Sequence, residues 1–509
     1  MLSRWARDRR AMLKVHALSV AILVASMQAG AAEQEASPTA GGGLHVGGWV
    51  RTWASVNLQD PPETAQDDKG KLSMLRAALQ LDASGDIGSV ALHGVARLDR
   101  EYKTNYLKDL QALGGGASTG NIMDLYNRGE IREAYGEFEP LDRLKLRLGK
   151  QQVVWGESDF FRGMDIVHGY DLRWRSFFEV ENEDLRKPLV MLNGIYDLPQ
   201  ANGSLQVLVR PGKLNRDRDV GNTYDLSGGR WANQPNKGFD FLTLLNYDYR
   251  HPAGDTSKTT TGLRWSGVAG GVNYSFAYLQ TYNNDPVLNS AFAPYQKTPT
   301  GAVGDLIYPR VNLIGATASS YVPAVDAVLS TELAYTKDAA FNVGSNFANG
   351  QFPGFGGIIR KDTLVTMLRM DKRVDLSGLI GAIRPSFLSI QLFDTWLPKF
   401  KQEEDIVYLV GYGRPRKEHT TILTTILGLN YDFNNINPTI AGGVDLTNGG
   451  GFLIPSIEWV LGDKWRVKAE LDLVFNSGQK LPGQVEQRTS LFGYFANNNQ
   501  AAIRITRQF

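Results

Sequence analysis

The side chains most clearly suited to an electrostatic role are charged residues that lie two positions apart in the sequence. Glu133 and Glu137 lie in one such row, and Lys145 and Arg147 lie in the next. Side chains of an extended strand alternate between its two faces, so residues two apart share a face. A tight turn at 140–142 would place Glu137 nearly opposite Lys145 and Glu139 opposite Arg143.

These rows have two interpretations. Cross-strand opposite charges contribute roughly 0.2–1 kcal/mol per pair and could simply neutralise each other and stiffen a wall. Alternatively, they could create a transverse field that aligns a polar or zwitterionic solute in a pore. The mixed signs argue against a strongly anion-selective pore. Other charged residues could extend the rows, namely Arg76, Arg97, Asp99, Arg466, Lys468 and Glu470.

A second concentration of reactive side chains lies between residues 155 and 178, where arginines, carboxylates and aromatic residues alternate irregularly. Ion pairs between arginine and carboxylate can hold a loop rigid. We therefore predict that the loop 155–188 folds inward and forms a constriction, with a purely structural plug as the alternative. The constriction candidates are Trp155, Glu157, Asp159, Arg162, Asp165, Asp171 and Arg173. The expected apolar contact surface comprises Trp155, Phe160, Phe161, Trp174, Phe177 and Phe178. Arg162, Arg173 and Arg175 are expected to meet the carboxylates of the same loop.

Catalytic and metal chemistry has little support in the sequence. The chain has no cysteine, which excludes disulfides, thiolate metal sites and cysteine nucleophiles. Its six histidines form no HExxH pair and no recognisable Ser/His motif. A metal site at Glu157, Asp159, Asp165 and His168 is conceivable, but the spacing matches no ligand pattern. We expect no enzymatic activity, no metal and no other cofactor.

The elements that must position these residues alternate with a period of two. In residues 87–100, Val90, Leu92 and Leu98 share one face, while Arg97 and Asp99 share the other. Many such runs last about ten residues, the length of a tilted strand that crosses a bilayer. Strands of soluble proteins average only about 5–6 residues, and charged rows would be costly in a closed core.

The predicted fold is therefore all-β: an antiparallel transmembrane β-barrel of about 16–18 strands, with 18 favoured, long loops and one in-folded loop. The clearest strands are 75–82, 87–100, 144–151, 272–282 and 465–475. Further candidates are 43–58, 131–139, 189–198, 203–211, 239–250, 259–268, 308–320, 325–337, 358–371, 385–397, 404–412, 421–433, 438–446, 451–462 and 488–496.

The two ends of the chain indicate export. Basic residues, a short apolar run at 17–27 and the small residues Ala29, Gly30 and Ala31 are typical of a signal peptide for the general or the twin-arginine route. The predicted organisation is a signal peptide at 1–31, which is removed, a flexible lead-in at 32–43 and a barrel at 44–509. The chain ends on Phe509 after an alternating segment, which resembles the last strand of bacterial outer-membrane proteins.

One segment carries a family resemblance. The run from Leu146 to Asp159, which contains Val154-Trp155-Gly156-Glu157, resembles a proteobacterial family known as domain of unknown function 1302, as do 165–173 and 183–192. This sequence has His168-Gly169 where the family usually has Asn-Pro. The resemblance implies an outer-membrane β-barrel distantly like the alginate-export porins. Members are suspected of moving hydrophobic or steroid-like compounds.

The leading functional hypothesis is a channel in the outer membrane of a Gram-negative bacterium. It would pass small solutes, hydrophobic or of mixed polarity, through a charged lumen constricted by the loop 155–188. The expected partners are outer-membrane lipid and lipopolysaccharide, the barrel-assembly machinery through Phe509, and a small-molecule solute. The net charge of +1 gives no case for nucleic acid. Two alternatives are an adhesive barrel that presents loops and, more remotely, an outer-membrane hydrolase.

Overall fold

The barrel is closed and built from 18 antiparallel strands. The computed structural model describes residues 43–61, 64, 66–113, 121–179, 181–225, 229–231, 257–295, 304–344, 354–383, 385–408, 414–476 and 491–509. Each strand pairs with its neighbours in sequence, and the last strand pairs with the first. The predicted fold class and the favoured strand number are thus confirmed.

The barrel strands are numbered in chain order. They are β1 His45–Asn57, β2 Leu72–Ile87, β3 Val90–Glu101, β4 Arg128–Leu141, β5 Leu144–Gln151, β6 Leu189–Leu198, β7 Gly203–Arg210, β8 Thr260–Ala269, β9 Val272–Tyr282, β10 Arg310–Val322, β11 Ala327–Asn342, β12 Ile358–Val374, β13 Ser386–Trp396, β14 His419–Gly428, β15 Ile436–Asp445, β16 Gly451–Leu461, β17 Trp465–Phe475 and β18 Gln500–Gln508. Two short pairs of strands are not part of the barrel sheet. They are Val287–Ser290 with Gly304–Ile307 and Val407–Tyr408 with Arg414–Pro415.

The helical elements are all short. The α-helices are Asn105–Leu113, Met123–Tyr126, Asn182–Leu185, Ser377–Ile380 and Leu491–Tyr494. The 3₁₀ turns are Ser176–Phe178, Pro199–Ala201, Gly212–Leu214, Asp217–Asp219, Gln402–Glu404 and Asp432–Asn434. Among the described residues, no helix has both the length and the apolar character needed to span a membrane.

Closure of the barrel depends on the two terminal strands. Trp49 of β1 lies opposite Gln508 of β18, and the ladder continues to Asn57 opposite Gln500. The backbones of Gly48 and Phe509 exchange two hydrogen bonds of 3.0 Å. Because a closed barrel satisfies the backbone groups of every strand by pairing, it has no exposed sheet edge.

The two faces of the strands are sorted as the alternation predicts. On β3, Leu92 and Leu98 are each 41% exposed on the outside, whereas Arg97 and Asp99 are buried inside. On β18, Ile503 is exposed and its neighbours Ala502 and Arg504 are buried. Apolar side chains thus cover the outside of the cylinder, and polar side chains face inward.

The longest connections all lie at one end of the barrel, together with the short connection 446–450. The turns at 88–89, 142–143, 270–271 and 462–464 are tight, and they lie at the same end as the two terminal strand ends at His45 and Gln508. The long connections at the other end are 58–71, 102–127, 152–188, 211–259, 283–309, 343–357, 397–418 and 476–499. We call these the short-turn end and the long-loop end.

Three predicted strands differ from the structure or lie outside its described residues. The candidate 404–412 is described only at 404–408, and that part forms the two-residue strand Val407–Tyr408 rather than a barrel strand. The candidate 488–496 is also wrong, because 491–494 forms a helical turn. Both lie in long connections, where a few alternating residues imitate a strand. The candidate 239–250, like the signal peptide 1–31, lies outside the described residues.

The β4–β5 hairpin differs in register from the prediction. Glu137 lies opposite Arg147 rather than Lys145, because an irregularity between Phe138 and Leu141 shifts the pairing. Proline at position 140 has no N–H to donate to a ladder, which favours such an irregularity. Glu137 nevertheless contacts both cations, at 2.7 Å from Arg147 Nη2 and 3.4 Å from Lys145 Nζ. The predicted pairing of Glu139 with Arg143 is absent, since Arg143 forms the turn with φ 68°.

Candidate functional site

The connection between β5 and β6, residues 152–188, lies inside the barrel, and we call it the inner segment. Its residues contact side chains from strands all around the cylinder, including β1, β3, β7, β11, β12, β13, β17 and β18. A segment that reaches so many strands can do so only from the interior. The predicted in-folded loop is therefore observed.

On one side of the barrel, β11 holds the inner segment through a single carboxylate. Glu332 is buried, and its two oxygens accept hydrogen bonds from the backbone N–H groups of Glu157 at 2.5 Å and Met164 at 2.7 Å. Gly163 packs so closely that a Cβ there would lie 2.4 Å from Glu332 Oε2. Hydrogen bonds to an ionised carboxylate are stronger than neutral ones.

The neighbouring strands β12 and β13 add two contacts to the same part of the inner segment. Gln391 accepts a hydrogen bond from the backbone of Asp159 and donates one to its carboxylate, at 3.0 and 2.8 Å. Arg369 forms an ion pair of 3.2 Å with the same carboxylate. The turn of residues 157–164 is thus attached to three consecutive strands.

The opposite wall holds the other end of the inner segment by ion pairs. Asp184 lies 2.6 Å from Arg97 of β3 and 2.8 Å from Arg51 of β1. Glu181 lies 2.9 Å from Arg504 of β18. Because these contacts and those of Glu332 come from opposite walls, the inner segment crosses the interior.

A fully buried charge cluster lies in the same region. Arg175 contacts Glu470 at 2.7 Å and Asp472 at 3.1 Å, both on β17, and Glu179 at 3.4 Å within its own segment. Burial raises the pKa of Glu179 above its usual value, opposed by the charge of Arg175. Separating a buried cation from its carboxylates is costly, so this cluster fixes the inner segment to β17.

The aromatic residues of the inner segment are divided among three clusters rather than forming one surface. Phe160, Phe177 and Phe178 pack with Phe452, Phe492 and neighbouring side chains. Trp174 joins a second cluster with Trp53 and Tyr126. Trp155 joins a third, with Leu208 and Leu279, and donates a hydrogen bond to Gln206. The prediction of one apolar surface is wrong because each ring packs against the nearest wall.

The predicted ion pairs within the inner segment are only partly correct. Arg173 pairs with Asp171 at 2.8 Å. Arg162 instead lies over the ring of Tyr170. The other carboxylates pair with arginines outside the predicted set or remain exposed, because partners distant in sequence are closer in space. These partners are Arg369 for Asp159, Arg186 for Asp165 and Arg128 for Asp171, whereas the Glu157 side chain is exposed.

The ten predicted pore-lining residues lie inside the barrel but border neither of its two large cavities. Arg76 is 2.9 Å and Arg97 3.2 Å from Asp99, and all three are buried. Lys468 pairs with Glu470 at 2.9 Å on β17. The remaining five lie partly exposed on inward faces, and they are Glu133, Glu137, Lys145, Arg147 and Arg466. Arg97 and Glu470 therefore anchor the inner segment instead of facing open space.

Two cavities lie on either side of the inner segment. The larger, about 410 Å³, is at the long-loop end and is bordered by Phe160, Phe161 and Gly163 of the segment. The smaller, about 340 Å³, is at the short-turn end and is bordered by Trp155 and Glu157 of the segment. The inner segment thus separates the two ends of the barrel interior.

The contact between Gly163 and Glu332 lies between the two cavities. Gly163 borders the larger cavity, whereas Glu332 borders the smaller one. Glu332 is not among the residues predicted from the sequence, although the sequence contains one signal for it. It is the solitary carboxylate on the inward face of a strand whose neighbouring inward residues are Ser330 and Ala334.

His168 is buried and neutral in the inner segment. Its Nε2 accepts a hydrogen bond from the Val153 N–H at 2.8 Å, and its Nδ1 donates one to the Lys187 carbonyl at 3.0 Å. Desolvation lowers the pKa of His168 to about 4. At the next residue, a Cβ on Gly169 would lie 2.0 Å from the Gly221 carbonyl oxygen, so only glycine fits there.

We predict that His168 makes the protein less stable in mild acid. The unfolded chain binds a proton near pH 6.5, whereas the folded chain resists protonation down to about pH 4. Stability is therefore lost as pH falls through this window, by about 2 kcal/mol between pH 7 and 5. Urea unfolding of His168→Gln at both pH values should show a smaller pH dependence. An equal pH dependence in the wild-type protein and in His168→Gln would refute the assignment.

In the part of the chain that the structure describes, no three histidine or acidic side chains are arranged to hold a metal ion. Glu157, Asp159 and Asp165 point to different partners, because the first is exposed and the other two pair with arginines. The arrangement provides a partition and two cavities.

Comparison with solved structures returns outer-membrane proteins of low identity. The outer-membrane channel DcaP of Acinetobacter baumannii is 9% identical with a TM-score of 0.39, over 94% of this chain and 100% of that chain. OccAB3 of the same organism is 8% identical with a TM-score of 0.47, over 92% and 99%. Pseudomonas aeruginosa OpdK with vanillate is 10% identical with a TM-score of 0.45, over 92% and 98%.

Comparison with sequence families is more specific. No curated protein sequence matches this chain. The family model described as protein of unknown function (DUF1302) matches residues 12–509. That range includes every strand of the barrel and the whole inner segment. Because the match extends over nearly the full length, this chain belongs to the DUF1302 family.

Proposed function

We propose that the protein is an outer-membrane channel for small solutes, with the inner segment as its gate. The observation that carries this proposal is the pair of cavities at opposite ends of the barrel, separated by residues 155–164. A structural plug would need no such spaces. A solute that entered one cavity would reach the other if the contact between Gly163 and Glu332 opened.

The character of the two cavities supports solutes of mixed polarity. Phe160, Phe161 and Phe393 give the larger cavity an apolar surface. The smaller cavity is polar, with Arg264 and Glu332 among its lining residues. Passage would thus begin in contact with aromatic rings and end among charged groups. The ten charged residues predicted to line the pore would stabilise the barrel wall and hold the inner segment in place.

The surroundings we propose are the outer membrane of a Gram-negative bacterium, after removal of residues 1–31. The exposed apolar side chains of the strands suit contact with acyl chains, and long loops face the outside in barrels of this kind. Lipopolysaccharide would then lie next to the long-loop end. The assembly machinery would bind β18 together with Phe509, the residue that follows it.

The proposal is tested by measuring ion currents across planar lipid bilayers that contain the purified full chain. We expect discrete conductance steps, because ions pass through the barrel whenever the partition opens. A variant that lacks residues 157–164, joined by a glycine linker, should conduct more than the intact protein. If neither protein produced steps at any applied voltage, while both migrated as folded barrels, the channel proposal would be wrong.

We predict a strong penalty for a charge on the outer surface. Leu368 is 51% exposed in the middle of β12. Leu368→Arg should reduce the free energy of unfolding in lipid vesicles by about 2–4 kcal/mol, because arginine at the bilayer midplane has that cost. Leu379→Arg is the control, since this leucine is 80% exposed in a turn at the short-turn end, outside the strands. Equal effects of the two substitutions would contradict burial of β12 in acyl chains.

A further inference from the structure

The larger cavity has the surface of a binding site for an apolar molecule. Its volume of about 410 Å³ lies in the range of pockets that hold small organic ligands. Aromatic and aliphatic side chains from both the inner segment and the barrel wall form its surface. These include Phe160, Phe161, Ile166, Val311, Leu313 and Phe393.

The carboxylates at this cavity already have donors. Asp285 accepts hydrogen bonds from Asn222 at 2.8 Å and from the Tyr224 hydroxyl at 2.5 Å. Asp445 accepts hydrogen bonds from the backbone N–H groups of Thr447 and Asn448 and from the Asn448 side chain. Neither carboxylate therefore needs a cationic ligand.

Two arginines at the same cavity pair with no carboxylate among the described residues. Arg162 lies over Tyr170 at 3.2 Å from the ring centroid, and Arg416 lies over Tyr408 at 3.9 Å. The Nε atom of each is buried without a hydrogen-bond acceptor. In the described residues, neither guanidinium is within 4.0 Å of a carboxylate oxygen. Elsewhere in the interior, Arg97 and Arg175 each pair with two or more carboxylates.

We propose that this cavity binds amphipathic organic anions, that is, a compact apolar body carrying one carboxylate or sulfonate. This names the solute class and so rests on the proposed function. The apolar body would contact the phenylalanine rings, and the anionic group would receive hydrogen bonds from Arg162 or Arg416. An arginine is well suited to this role because its planar fork can donate two hydrogen bonds to one carboxylate.

The chemistry predicts discrimination by charge among ligands of one shape. We would titrate the full chain, in a neutral detergent, with 4-phenylbutyrate, 4-phenylbutanol and 4-phenylbutylamine by calorimetry. We expect the anion to bind at least tenfold more tightly than the alcohol and the amine to bind more weakly than either. Alcohol or amine binding as tight as that of the anion would overturn the proposal.

Variants assign the effect to the two arginines. Arg162→Gln combined with Arg416→Gln should lower the affinity for 4-phenylbutyrate to that for the alcohol, and lysine at both positions should restore part of it. Arg143→Gln is the control, because Arg143 lies in the turn between β4 and β5 and borders neither cavity. An equal loss with Arg143→Gln, or no loss in the double glutamine variant, would refute the site.

Binding and conduction are measured separately, so the two proposals can fail separately. A protein that conducts but shows no preference for the anion contradicts only the solute class. A protein that binds the anion at Arg162 and Arg416 but never conducts contradicts only the channel. Should the double glutamine variant not migrate as a folded barrel, the lysine variant and the three wild-type titrations still decide the question.

Discussion

Glu332→Gln is expected to raise the conductance of the protein several-fold. The glutamine has the same size, but its amide group presents an N–H₂ where Glu332 now accepts a hydrogen bond from a backbone N–H. Hydrogen bonds to charged groups contribute about 1.5–3 kcal/mol each, so the loss of even one shifts a closed-to-open equilibrium by tenfold or more. The turn 157–164 should then leave the β11 wall more often and connect the two cavities.

The measurement is single-channel recording, which separates the frequency of opening from the size of each step. Glu332→Gln should increase the open fraction. Ser330→Ala is the matched control, because Ser330 has the same inward orientation on β11 but contacts Ser319 rather than the inner segment. If the open fraction of Glu332→Gln equalled that of the Ser330→Ala protein, Glu332 would not hold the gate.

Arg175→Met should destabilise the folded protein by about 3–5 kcal/mol. Methionine approximates the length of the side chain but removes a cation that contacts Glu470, Asp472 and Glu179. A buried carboxylate that loses its partner carries the full desolvation cost. Lys468 still contacts Glu470, and Gln500 still donates to Asp472, so Glu179 loses the most.

The loss should depend on pH with a definite sign. The pKa of Glu179 is already raised by burial, and removal of Arg175 raises it further. The folded variant then takes up a proton more readily than the unfolded chain, so its deficit relative to wild type should shrink as pH falls. Urea unfolding at pH 8 and pH 5 measures this difference.

Arg173→Met is the control for the charge cluster. Arg173 contacts Asp171 from a partly exposed position, and Asp171 keeps its second partner, Arg128. We expect a loss of about 1 kcal/mol or less, in the range of accessible ion pairs. Similar losses for Arg173→Met and Arg175→Met would show that burial of the Arg175 cluster does not increase its contribution to the free energy of unfolding.

The barrel itself could be predicted because its signal is local and repeated. A strand such as 465–475 shows its two faces within eleven residues, and the environment of each face, acyl chain or interior, follows from residue type. Short turns such as 462–464 join neighbouring strands, so sequence order is also spatial order. The β4–β5 register was the exception, because one irregularity near a proline shifts every pair beyond it.

The sequence by itself determined the cylinder, its inward and outward faces, and the segment that departs from the alternation. Only the tertiary structure decided the partners of that segment. Glu332 lies 175 residues from Glu157 along the chain, and Asp472 lies 297 residues from Arg175. Alternation fixes which way a side chain points, but a contact across the interior depends on where the closed barrel brings distant strands. For that reason the anchors of the partition could be identified only in the folded chain, as could Arg162 and Arg416, which meet no carboxylate among the described residues.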